Sequence, residues 1–192
     1  MKKIEIKEFG GPEVLEIKNV DIGKPGQNEV LVKNLSIGIN YIDTYHRSGL
    51  YPIPLPSGIG LEACSIIEEV GSDVKLFKVG DRVTRASMPI GTYSEKQIIP
   101  EDKLVKVPDN ISDEVASCIT LKGITAEYLL HRTYQVKKGD KILYHAAAGA
   151  LGQIFCPWAN ALGAEIIGTV GSDEKIEICL LYTSPSPRDL RL

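Results

Sequence analysis

The chain has 192 residues, 43% of them hydrophobic and 24% charged, with a formal net charge of −3. That balance fits a folded globular protein and excludes a disordered chain, and its acidic sign leaves no electrostatic footprint for nucleic acid. No apolar run approaches the roughly 18–20 residues of a membrane span, so no membrane partner is expected, while four scattered cysteines suit a reducing cytoplasm.

The opening MKKIEIKEFG alternates Ile4 and Ile6 with charges, which predicts a strand and not a signal peptide. Further strands are expected in EVLVKNLSIGIN (29–40), CSIIEEVG (64–71), GDRVT (80–84) and KLVKVP (103–108), divided by turn signals such as KPGQNE (24–29) and SGLYPIPLPSG (48–58). These imply a β-rich domain over 1–120. Cys64, Cys118, Cys156 and Cys179 lie far apart without a C-x-x-C, which argues against a zinc knuckle or disulfide framework.

Near residues 110–122 the pattern changes. Residues 112–134 have a helical period, opened by Ser112 and Asp113 and split in two by Gly123. Residues 139–175 then run strand, glycine-containing turn, helix, strand, turn and helix start, a βαβ unit of a parallel sheet. In it KILYH (141–145) leads directly into AAAGALG (146–152) and a helix over 150–163, which Pro157 is expected to kink.

A small-x-Gly-x-x-Gly turn between strand and helix suits a dinucleotide pyrophosphate. Ala147 allows the tight turn, Gly149 lets phosphates approach the backbone, and Gly152 lets the helix pack close to the strand. The second strand ends in Thr169-Val170-Gly171-Ser172, with Lys175 close behind. An acid there would bind the ribose 2′-hydroxyl of NAD; its absence, with a hydroxyl and an ammonium nearby, favours the 2′-phosphate of NADPH. Packing alone also explains turn glycines, a solvated helix position explains Lys175, and an N-cap role explains Ser172.

The ordered motifs GINYIDTYHRSGLY (38–51), GLEACSIIEEVGSDVKLFKVGDRV (60–83), GTYSEKQIIP (91–100), LKGITAEYLL (121–130), KKGDKILYHAAAGALGQ (137–153) and ALGAEIIGTVGSDEK (161–175) carry a resemblance. Residues 1–178 resemble the zinc-free NADPH:quinone oxidoreductases of the medium-chain dehydrogenase/reductase superfamily. The resemblance implies an α/β plus β fold: a GroES-like substrate and catalytic domain over 1–120, then the first βαβ of a Rossmann NADPH-binding domain over 121–178. Relatives with a catalytic zinc carry a Cys and a Gly-His-Glu motif; here Asn40 and Leu61 stand at those places and only Glu62 remains. Their structural zinc lobe has no counterpart in the short Val83–Gly91 connection, so no metal is expected.

By resemblance the reaction is metal-independent hydride transfer from NADPH to a quinone or related conjugated carbonyl. Asn40 would lie near the nicotinamide ribose and the substrate, Tyr45 would point its hydroxyl into the cleft, and Thr125 would meet the nicotinamide end. Ala150-Leu151 replaces the commoner Gly-Val of the family's turn and is expected to keep cofactor binding, with Gly171, Ser172 and Lys175 completing the site. The full-length parent would be a homodimer. Structural roles remain open beside these: Asn40 as a helix cap, Tyr45 as packing, Glu62 as a structural acid, and Asp43 with Arg47 as an exposed helical ion pair. His46 and His131 fall on expected surface helices. An enoyl or alkenal reductase on the same scaffold, and a non-enzymatic NADPH-binding protein, are the alternatives.

Residues 179–192 break the pattern. Thr183-Ser184-Pro185-Ser186-Pro187 cannot continue the helix begun at Ser172. A permitted back-translation of CLLYTSPSPRD (179–189) resembles a transposase mosaic end joined to a sequencing-library adapter. Residues 179–192 are therefore expected to be an adapter-derived tail, and the chain an inactive, C-terminally truncated fragment whose two parallel strands lack cover on one face.

Overall fold

The computed structural model describes residues 1–180. The expectation of an adapter-derived tail falls, for 181–192, outside the described residues. The chain divides into two compact units, Met1–Leu121 and a second beginning at Lys122.

The first unit is antiparallel β structure. β1 (Lys2–Ile6) pairs with β2 (Glu16–Asn19) and with β4 (Ser57–Gly58). A five-stranded sheet runs β7-β3-β5-β6-β8, from β3 (Glu29–Gly38), β5 (Glu62–Val70), β6 (Arg82–Ala86), β7 (Lys96–Pro100) and β8 (Val105–Lys106). β-branched residues fill its core: Val30, Val32, Ile67, Val83 and Ile99, with Leu104. Two register shifts in β3, at Leu31/Val32 and Asn34/Ser36, interrupt its alternation, and Val30, Leu31 and Val32 are all buried in succession.

The connection from β6 to β7 is held by Arg85. Its buried guanidinium donates to the carbonyls of Ser87 (2.8 Å) and Pro89 and to Gln97 Oε1. Burial pushes its pKa down to about 10, so the neutral acceptors must compensate the lost hydration of this charge.

Two helices belong to the first unit's sequence. α1 spans Tyr41–Ser48, and α2 (Asp113–Tyr128) starts in this unit and runs past its boundary. Ser112 Oγ accepts the Val115 N–H at 3.3 Å, the expected cap. Asp113 is paired with Arg82 at 2.6 Å. The expected break at Gly123 does not occur: α2 is continuous through it. One glycine costs a helix interior about 1 kcal/mol relative to alanine, too little to divide a 16-residue helix. The helix ends instead in a π-type turn, Leu129–Thr133.

In the second unit β9 (Lys141–Tyr144) and β10 (Glu165–Gly168) pair in parallel, with Ile142 opposite Ile166 and Leu143 opposite Ile167. The crossover is α3 (Gly152–Ala161), whose Phe155, Cys156 and Ala159 pack with Ile166, Ala126, Leu130 and Val136. The period-two pattern puts Ile142, Tyr144 and Ile166 on that core. It leaves Leu143 61% and Ile167 42% exposed on the other face. α3 runs unbroken through Pro157, which has no N–H to give to Gln153. After β10 comes a 3₁₀ turn, Asp173–Lys175, and α4 (Ile176–Leu180). Ser172 stands at the N-cap, but its side chain makes no capping bond. Among the described residues no helix is long and apolar enough to cross a membrane.

Candidate active site

The sequence-predicted residues fall into two groups, one in each unit. Ala147, Gly149, Ala150, Leu151 and Gly152 form the turn after β9 and the start of α3; Gly171, Ser172 and Lys175 follow β10 and are exposed. Ala147 N–H donates to the Thr169 carbonyl at 3.0 Å and Thr169 N–H to the Tyr144 carbonyl at 2.9 Å, so the ends of both strands are tied together at their carboxyl edge. His145 Nδ1 and Thr169 Oγ1 add a contact at 3.0 Å.

The tight turn runs from Ala146 to Gly149 with Ala147 and Ala148 at its centre, so Ala147 lies in the turn as expected. Ala146 has φ +56°, in the left-handed region, and the Gly149 N–H closes on its carbonyl at 2.8 Å. Ala147 is buried, and its N–H also ties the turn to the Thr169 carbonyl. Gly152 does what the motif requires: a Cβ there would collide with the Ala147 carbonyl and Cα. Gln153 N–H to Gly149 O (3.0 Å) is the first helical bond, so the N–H groups of Ala150, Leu151 and Gly152 lie ahead of it at the positive end of α3. This is a backbone cradle whose exposed rim, Gly149 and Ala150, carries no bulky side chain. Those features fit a dinucleotide pyrophosphate.

The first unit's group is built from side chains. Asn40 precedes α1 in extended conformation and is 7% exposed. Its N–H donates to Asp43 Oδ2 at 2.9 Å, closing the first turn of α1, so the capping role is present. Its Nδ2 donates to Glu62 Oε2 at 2.9 Å, and Glu62, fully buried, also accepts the Leu121 N–H at 2.7 Å. The expected exposed Asp43–Arg47 pair is not formed. Asp43 is 4% exposed and accepts the Tyr93 hydroxyl at 2.8 Å, whereas Arg47 Nε donates to the Gly10 carbonyl at 3.2 Å. α1 lies with that face inward, which overrides the i,i+4 spacing. Burial raises the Asp43 pKa above its ordinary value against the opposing pull of the Asn40 N–H, the Tyr93 hydroxyl and His46. Burial and the Asp43 bond likewise push the Tyr93 phenol up.

His46 also departs from expectation: it is 7% exposed, with Nδ1 buried and unpartnered. His131 is exposed, as a surface helix residue should be, and meets Trp158 edge-on at 5.5 Å. Tyr45 is half-buried at the middle of an aromatic group, edge-to-face with Tyr41 at 5.3 Å and Tyr51 at 5.2 Å. Tyr41 and Tyr51, both exposed, were not singled out from the sequence. The four-residue spacing of Tyr41 and Tyr45, which stacks side chains on one helix face, was the available signal. Thr125 is half-buried on α2. Among the described residues no group of three or more His, Cys, Asp and Glu side chains is arranged to hold a metal ion.

Residues 26–109 match the alcohol dehydrogenase GroES-like domain. The chain is 52% identical over 178 residues to a quinone oxidoreductase of Pseudomonas aeruginosa, covering 92% of this chain and 55% of that protein. It is 46% identical to a 2-haloacrylate reductase of a Burkholderia species, covering 90% of this chain and 54% of that protein. The structure superimposes on an Escherichia coli quinone oxidoreductase complexed with NADPH with a TM-score of 0.92 at 49% identity, covering 96% of this chain and 57% of that one. The chain thus spans about half the length of the curated relatives it matches.

Proposed function

From the homology of this chain to the quinone oxidoreductases of the medium-chain dehydrogenase/reductase superfamily, we propose that the protein to which it belongs is an NADPH-dependent quinone reductase that works without a metal. In this reading residues 1–120 supply the substrate and catalytic part and residues 121–178 the start of the NADPH-binding part. The observation that carries the reading is the Ala146–Gly152 cradle, where backbone N–H groups gather at the positive end of α3, as an anion requires, and Gly152 admits no side chain.

When bound, NADPH supplies the hydride. The Ala147–Gly152 turn would hold its pyrophosphate, and Gly171, Ser172 and Lys175 would take the 2′-phosphate, with Lys175 offering charge. Thr125 would contact the nicotinamide end. Asn40 would lie beside the nicotinamide ribose and the acceptor with its Oδ1 end turned away from Glu62, and the Tyr45 hydroxyl is the donor proposed for the acceptor oxygen, where negative charge develops as the acceptor is reduced. Tyr45, flanked by Tyr41 and Tyr51, offers aromatic edges and faces to a planar quinone and a hydroxyl to its oxygen. We place the protein in the cytoplasm as a homodimer, without nucleic-acid or membrane partners.

A reductase of conjugated carbonyls is the second reading, favoured by the likeness to a 2-haloacrylate reductase. Residues 1–192 alone would not turn over, because the Leu143 and Ile167 face of the two-stranded sheet stands open. The test is NADPH oxidation by the complete gene product with a panel of quinones and α,β-unsaturated carbonyls, beside residues 1–192. Quinone turnover by the complete protein only is expected. NADPH binding without turnover of any acceptor would instead indicate a non-enzymatic binding protein.

A further inference from the structure

The Asn40 side chain is held from one side by a carboxylate that the reaction does not consume. Glu62 opens β5 and is fully buried. Its Oε2 accepts Asn40 Nδ2 at 2.9 Å, and its Oε1 accepts the Leu121 N–H at the other end of the same planar group, at 2.7 Å. The approach is close: a Cβ on Gly38 would stand 2.9 Å from Glu62 Oε2 and collide with the Ser117 carbonyl. The Asn40 backbone is fixed separately, through Asp43 Oδ2, which Tyr93 in turn holds.

A carboxylate accepts hydrogen bonds and donates none, so only the NH₂ end of the Asn40 amide can face Glu62. The amide is planar, and its Oδ1 therefore points away from Glu62 in one orientation. An asparagine without such a partner would flip between two. We propose that Glu62 is a positioning residue: it fixes which end of the Asn40 amide meets the nicotinamide ribose and the acceptor. This rests on the role of Asn40 given above.

The test is Glu62→Gln in the complete protein. Glu62 uses one oxygen for Asn40 Nδ2 and the other for the Leu121 N–H; in the variant one of those ends is NH₂, and with the oxygen kept on Leu121 that NH₂ would draw the Asn40 amide round to offer Oδ1. Quinone-dependent kcat is expected to fall about tenfold or more, and the NADPH Kd, read by nucleotide fluorescence without acceptor, to weaken by a smaller factor, because only the ribose contact of Asn40 is lost while the pyrophosphate turn is untouched. A kcat unchanged well below the melting temperature, whatever the shift in Tm, would reduce Glu62 to a structural acid and overturn the proposal. If the wild type itself fails to oxidise NADPH with any acceptor, the function reading fails and this proposal falls with it, an outcome distinct from an active wild type with an unchanged variant.

A second measurement needs no variant. In wild-type protein labelled with ¹⁵N-asparagine, one Asn40 Nδ2 proton should exchange with solvent far more slowly than those of exposed asparagines such as Asn160. Exchange of both Asn40 protons at the rate of Asn160 would equally overturn it.

Discussion

The Asn40 corner of the first unit and the Ala146–Gly152 turn of the second solve the problem of presenting polar groups in different ways. Around Asn40 the work falls to side chains: Asp43 of α1, Glu62 of β5 and Tyr93 of the β6–β7 connection are buried or half-buried, each with a specific partner. At the turn it falls to the backbone, and the side chains are small because the main chain must come close. The first arrangement depends on protonation and on long-range packing. The second depends on sterics within seven residues, and it should be insensitive to pH but intolerant of added carbon.

The largest effects should come from filling the two close approaches. Gly152→Ala places a Cβ against the Ala147 carbonyl, and Gly38→Ala places one against the Ser117 carbonyl and beside Glu62. Both contacts are with backbone, so each variant should lose about 3 kcal/mol by overpacking. The regions should part in what fails. Gly152→Ala should perturb the fluorescence of Trp158, the only tryptophan, and abolish NADPH binding, whereas Gly38→Ala should leave Trp158 unchanged. Equal Trp158 responses would break the distinction between the two regions.

A smaller effect separates them by pH. Burial raises the Asp43 pKa above its ordinary 3.8, so the folded state holds this proton to higher pH than the unfolded chain. The stability contributed by Asp43 is then full below 3.8 and is lost as pH rises through the folded value. Denaturant melts of wild type and Asp43→Asn between about pH 3 and 7 should show wild type losing ground to the variant as pH rises. A difference that stays constant, or changes the other way, would mean that hydrogen bonds from Asn40 and Tyr93 outweigh burial.

The smallest effect belongs to the turn. Ala146 occupies the left-handed region at φ +56°, which glycine adopts without steric cost. Ala146→Gly should therefore stabilise the protein by up to about 1 kcal/mol, the relief of strain being partly offset by greater freedom of the unfolded chain. A loss of stability would show that the methyl group packs usefully.

The cradle was readable because its requirements are local. Gly149 and Gly152 sit at fixed offsets after an apolar strand, and the need for a missing Cβ is a property of those few residues. What stayed hidden is which of three consecutive alanines takes the left-handed conformation, Ala146, because identical residues cannot signal that. The Asn40 corner was only half readable. The D-x-x-x-R spacing of Asp43 and Arg47 predicts an exposed ion pair if α1 turns that face to water. The direction of the face is decided by Tyr93 and Gly10, which lie 50 and 37 residues away in the chain.

The amino-acid order by itself determined the alternating strands, the helix at Ser112, the β-to-βαβ change and the glycine-containing turn after β9. Each follows from hydrophobic period or backbone sterics over a few neighbouring residues. Tertiary structure alone decided that Asp43 and His46 are buried, that Gly123 stays helical, and that Glu62 grips the Asn40 amide. Those outcomes depend on which distant groups pack together and exclude water, and burial sets both the strength and the cost of a polar contact.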